Sequence, residues 1–188
     1  MIKAYYSLCI IVLFLAPYIS SAQAEREIAP PYNIKTVSFI KEGQNVFPFF
    51  KLGENFELAF DDLFGNEADY YYSITHCNYN WTPSQLTVND YLQGFDTQRI
   101  QNYANSFNSL QIYSRYSLTF PNKFTRIILT GNYVLKILNA DREVVFSRKF
   151  VVYEDIVSVP LQVKRARDME DIGQKHNLDF AVKTKSFL

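Results

Sequence analysis

The sequence predicts an all-β fold: an immunoglobulin- or fibronectin-III-like antiparallel β-sandwich, followed by a truncated start of a second β domain. Three observations predict it. Aromatic residues make up 16% of the 188-residue chain and hydrophobic residues 48%, enough for a packed core and weighted toward Tyr, Phe, Val and Ile, which favour strands. Short runs of period-two alternation recur, separated by Gly, Pro, Asn and Asp, as in half-buried strands joined by turns. About seven such runs follow at sandwich-like intervals, with no convincing amphipathic helix between them.

The chain opens with a segment that reads as an address. Lys3 precedes an almost wholly apolar run, Leu8 to Ile19, and Ser20-Ser21-Ala22-Gln23-Ala24 supplies small residues for a peptidase. This is the pattern of a secretory signal peptide over residues 1–22, cut between Ala22 and Gln23, with Ala24 as the alternative site. An uncleaved anchor is the competing reading, although the apolar run is short for a membrane span. Cys9 lies inside that run and lacks the preceding small residue of a lipoprotein signal. Its removal leaves Cys77 alone, so no internal disulfide staples the exported domain.

Residues 23–33, with Pro30-Pro31, read as a linker. The sandwich is expected over 34–155. Ile34 to Ile40 is a first strand, and Val46 to Phe50 carries Pro48, which suits an edge. In Phe56-Glu57-Leu58-Ala59-Phe60-Asp61 the rings and Leu58 point one way and the acids the other. Tyr70 to Asn78 is a long strand that turns at Tyr79 to Pro83. Ser84 to Leu110 keeps no clean period and reads as a long, partly packed loop with one short strand. Gln111 to Phe120 alternates again. Tyr133, Leu135 and Ile137 share a face, and Glu143 to Tyr153 returns after an Asn139-Ala140-Asp141 turn. Gly131-Asn132-Tyr133 resembles the tyrosine corner of such sandwiches. Ile156 to Val163 and Leu178 to Val182 alternate too, so 156–188 reads as the incomplete start of a second domain. Packing of these runs back on the first domain is the alternative.

The side-chain chemistry of the sequence favours no catalyst. Formal net charge is zero. Lys164-Arg165-Ala166-Arg167, the nearest thing to a basic patch, is followed at once by acids, so nucleic-acid binding is not expected. His76 and Cys77 adjoin, but neighbours in a strand face opposite ways, which separates them as a nucleophile pair. Two His and one exported Cys give no spaced metal-ligand set. No glycine-rich phosphate loop or distinguishable carboxylate pair appears. We therefore expect no catalytic, cofactor or metal site, and no small-molecule substrate. Trp81, Tyr79, Tyr91 and Phe95 read either as a sugar-stacking platform or as a cap on the sandwich core. Trp81, Tyr91 and Phe95 are the candidates for contact with a partner.

One combination of motifs goes further. Through Tyr71-Tyr72-Ser73-Ile74-Thr75-His76-Cys77-Asn78, Trp81-Thr82-Pro83-Ser84, Tyr91-Leu92-Gln93-Gly94-Phe95, Tyr116-Ser117-Leu118-Thr119-Phe120-Pro121-Asn122 and Gly131-Asn132-Tyr133-Val134-Leu135-Lys136-Ile137, the chain resembles the N-terminal domain of the type IX secretion system plug protein family. The resemblance implies a non-catalytic periplasmic protein, associated with the outer membrane, that closes the periplasmic mouth of the outer-membrane translocon barrel of that system. The family chain is longer, and here its second domain is cut short. The alternative is a carbohydrate-binding or adhesion module of an exported protein.

Overall fold

Alternation in the sequence becomes pairing through backbone groups that no local structure satisfies. The computed structural model describes residues 23–184, so the expected signal peptide and Ala22 lie outside the described residues. The elements are β1 (Ile34–Lys41), β2 (Gln44–Asn45), β3 (Phe49–Lys51), β4 (Phe56–Asp62), β5 (Tyr71–Cys77), a single helical turn α1 (Val88–Tyr91), β6 (Leu92–Gly94), β7 (Thr97–Arg99) and β8 (Asn102–Asn105). They continue with β9 (Ser114–Phe120), β10 (Thr125–Ile127), β11 (Gly131–Leu138), β12 (Val144–Tyr153), β13 (Val157–Ser158), β14 (Leu161–Arg165), β15 (His176–Phe180) and β16 (Lys183–Thr184).

Two five-stranded sheets form the sandwich, one in the order β2-β1-β4-β9-β8 and the other β3-β12-β11-β5-β7. Every pairing within them is antiparallel except β3 with β12, which is parallel. Pro48 sits just before β3, on the sheet edge, where a missing N–H costs least. A small β6–β10 pair bridges the side of the sandwich.

The inward faces interdigitate as a core of aromatic rings. Phe50 stacks on Phe56 with centroids 3.8 Å apart, and Phe39, Phe120 and Phe150 close around them. Nearer the other end, Phe60 stacks on Tyr116 at 5.1 Å, with Tyr70 and Phe146 edge-on. Such pairs add about 0.5–1.5 kcal/mol each beyond the area they bury.

The structure departs from the sequence reading in the stretch Ser84 to Leu110. It holds α1, β6, β7 and β8, not one short strand in a loop. Each is only three or four residues long and takes its partner from elsewhere: β6 from β10, β7 from β5, β8 from β9. Segments so short show no period, because tertiary pairing rather than local pattern selects them.

The stretch read as a linker is held down. The Glu25 N–H donates to the Trp81 carbonyl, its carboxylate meets Lys136 Nζ at 2.7 Å, and the Ser147 N–H donates to the Ile28 carbonyl. The segment thus straps β11 and ends on the edge of β12 that β3 leaves open. Among the described residues, strands β13 to β16 pair only with one another, as β13–β16 and β14–β15.

Candidate functional site

Strand β5 and the turn after it organise the residues singled out by sequence. Tyr72, Ile74 and His76 point inward and are buried. The Tyr72 hydroxyl shares a hydrogen bond with Thr125 Oγ1 (2.8 Å), which donates to the Phe95 carbonyl. His76 Nδ1 lies 2.8 Å from the Ser84 hydroxyl, and its ring meets Tyr133 edge-on at 5.1 Å. Burial lowers the His76 pKa below the ordinary imidazole value, opposed by a hydrogen bond with the Thr130 backbone. Cys77 faces the other side of the sheet, as alternation requires, under the strap. Burial, with Glu25 nearby, pushes its thiol up to about 11. A neutral imidazole and a protonated thiol on opposite faces are structural groups, not a nucleophile and its base.

Two glycines in the signature motifs are required by close approach. A Cβ at Gly131, where φ is +147°, would overlap His76 Nε2, and one at Gly94, where φ is +108°, would overlap the Phe124 carbonyl oxygen. Both positions lie where L side chains are strained. Beside Gly131, the Tyr133 hydroxyl donates to the Leu129 carbonyl at 2.7 Å. That bond back to the preceding backbone is the tyrosine corner expected from the motif. Burial raises the Tyr133 pKa, so the hydroxyl stays protonated and donates.

The three candidate contact residues are not brought to one surface. Tyr91 is 6% exposed and packs near His76 and Tyr133, inside the core. Trp81, at φ +66° in the Asn78–Pro83 turn, is half-buried. The Lys149 ammonium of β12 lies 4.4 Å from its ring centroid, so its ring ties the turn to β12 while its carbonyl holds the strap. Phe95 is 60% exposed, with its backbone fixed to Phe124 and Thr125. Tyr79, at the tip of the same turn as Trp81, is 90% exposed.

A second exposed apolar group lies at the opposite end of the sandwich, and sequence reasoning did not single it out. Tyr32 meets Phe64 edge-on at 6.3 Å, Ile112 packs on Gly65, and Phe107 and Leu110 project from the β8–β9 loop. The available signal was bulky apolar side chains among Asn, Ser and Gly in segments without alternation. Among the described residues no group of His, Cys, Asp and Glu could hold a metal ion. Among them also, no helix is long and apolar enough to cross a membrane.

Comparison with known proteins assigns the fold to a family. The family described as type 9 secretion system plug protein, first domain, matches residues 34–154. A crystal structure of a hypothetical protein from Parabacteroides merdae superposes with a TM-score of 0.77 at 30% identity, over 88% of this chain and 43% of that one. The chain therefore spans less than half the length of that protein. The alkylpurine DNA glycosylase AlkC of Pseudomonas fluorescens, bound to DNA containing an abasic site analogue, aligns at a TM-score of 0.36 and 15% identity, over 64% of this chain and 30% of that one, too low for the folds to correspond. No curated protein matches the chain. The match over 34–154 covers the whole two-sheet sandwich, including the β5 strand, the tyrosine corner and both constrained glycines, and through it the chain belongs to the type 9 secretion system plug protein family.

Proposed function

We propose that this protein is a non-catalytic component of type 9 secretion that closes the periplasmic mouth of the outer-membrane translocon barrel. The observation that carries the reading is the family match across the sandwich, residues 34–154. The dense aromatic core supports it, since a closure element must hold its shape against a pore. Exposed apolar side chains on the loops at both ends, Phe95 and Tyr79 at one and Phe107 and Leu110 at the other, offer surface for a protein partner. Of the residues singled out by sequence, Phe95 is the one presented for such contact. Trp81 and Tyr91 act behind the surface, holding the turn and α1 in place.

In this reading the chain enters the periplasm by a signal peptide over 1–22, cut between Ala22 and Gln23. Residues 34–155 form the first domain, and 156–188 begin a second β domain. The apolar face of the β14–β15 pair, Leu161, Val163, Leu178 and Phe180, is exposed and suits coverage by a further β layer.

The test is purification of the tagged chain from outer membranes, with the retained proteins identified by mass spectrometry, together with dye entry into cells lacking the gene. Recovery of the barrel and a leak that the intact gene abolishes are expected. Cells without the protein whose outer membrane stays tight would rule the plug reading out.

A further inference from the structure

On one side of the sandwich the strand ladder stops early. β8 pairs with β9 from Asn105↔Ser114 only as far as Asn102↔Ser117, whereas β9 runs on to Phe120 against β4. Among the described residues, Leu118, Thr119 and Phe120 therefore have a strand on one side only, and the Thr119 carbonyl accepts from the Asn122 side-chain amide. A cavity of about 380 Å³ opens beside them. Ile100 and Leu118 give it a buried apolar floor, and Phe124 a half-buried one.

The charged side chains that line this cavity have one sign, with Asp69 and Glu57 standing just outside it. Arg99 and Lys123 line it, and among the described residues no Asp or Glu does. Both cations are positioned: Arg99 pairs with Asp69, which stands outside the lining, and the Lys123 ammonium lies 4.6 Å from the Phe124 ring centroid. In a chain of zero formal net charge, a groove with cations and no acids favours an anionic guest. An interrupted sheet edge with pockets for alternate side chains favours an extended main chain.

We propose that this groove binds an extended acidic segment of another polypeptide. Its main chain lies beside Leu118–Phe120, in line with the end of β8. One carboxylate sits between Arg99 and Lys123, and a neighbouring apolar side chain meets Phe124 and Leu118. The proposal goes beyond the plug reading and does not rest on it, because the groove's chemistry selects any partner carrying such a segment.

The experiment is fluorescence anisotropy with the full chain, purified after export, and two fluorescein-labelled ten-residue peptides, one alternating Val and Glu, the other Val and Lys. Saturable binding of the acidic peptide alone, weakening as salt rises, is expected. Lys123→Glu should weaken it by about tenfold, and Gln101→Glu, on the same exposed rim, should also weaken it. Lys35→Glu, on β1 away from the groove, should leave it unchanged. These side chains are exposed, so each variant should keep the parent melting temperature. No saturable binding, equal binding of both peptides, or acidic-peptide binding indifferent to both groove variants would each overturn the proposal.

Discussion

The β11–β12 pair and the β14–β15 pair have the same local grammar and opposite fates. Both are antiparallel, and both alternate apolar with polar side chains. In β11 and β12 the apolar face, Tyr133, Leu135, Ile137, Phe146 and Phe150, is fully buried against the facing sheet. In β14 and β15 the equivalent face is open, with Phe180 69% exposed. The polar face of the second pair carries Lys164 against Asp179 at 2.7 Å, an exposed ion pair that solvent screens and that adds little to stability. Hydrogen-bonded pairing is thus available to any alternating run. Stability comes from the second layer, at roughly 25 cal/mol per Å² of apolar surface removed from water.

That contrast can be broken by substitution. Phe150→Ala empties a site among Phe39, Phe50, Phe56 and Tyr133. It should cost about 3–5 kcal/mol, read by urea unfolding with Trp81, the only tryptophan, as the probe. Gly131→Ala should come next, at about 1–3 kcal/mol for strain at a positive φ, because its Cβ would meet the His76 ring. Combining it with His76→Ala should give clearly less than the sum of the two, since the clash is then relieved. Additive losses would show that φ alone, not the contact, fixes the glycine. Tyr133→Phe removes only the bond to Leu129 and should cost about 1 kcal/mol.

A pH-gated effect follows from His76. Its pKa is lowered on folding, chiefly by burial, so on acidification the unfolded chain takes up the proton first. This contribution should be fully present above about pH 6.5, the ordinary imidazole value. It should decline as pH falls from there through the lowered folded value. Melting temperatures recorded across that window should fall less steeply for His76→Asn than for the parent. The smallest effect completes the comparison. Phe180→Ala, on the open face, should change the sandwich's unfolding by no more than about 0.5 kcal/mol. A loss as large as that of Phe150→Ala would mean that the terminal pair is packed as tightly as the sandwich.

Much of the sandwich was legible because long strands buried on one face must alternate. Phe56, Leu58 and Phe60 in β4, and Tyr116, Leu118 and Phe120 in β9, are buried as their spacing predicts. The opposite orientations of His76 and Cys77 follow from the same rule. The Tyr133 corner was legible because it is local, its acceptor Leu129 lying four residues upstream. The site was less legible. Nothing in Trp81, Tyr91 and Phe95 as letters separates a half-buried anchor, a core ring and an exposed one, because exposure depends on what the facing segment supplies.

By itself, then, the sequence determined the class of fold, the principal strands and the opposite orientations of His76 and Cys77, since each depends on periodicity within one segment. The tertiary structure alone decided the short strands β6, β7 and β8, the strap from Glu25 to Ile28, the apolar tip around Phe64 and Phe107, and the groove beside β9. Each joins residues distant in the chain, such as Gly94 with Thr125 or Ile28 with Ser147. Pairing energies of that kind come from which backbone groups a neighbour leaves unsatisfied, a quantity that no single stretch of sequence contains.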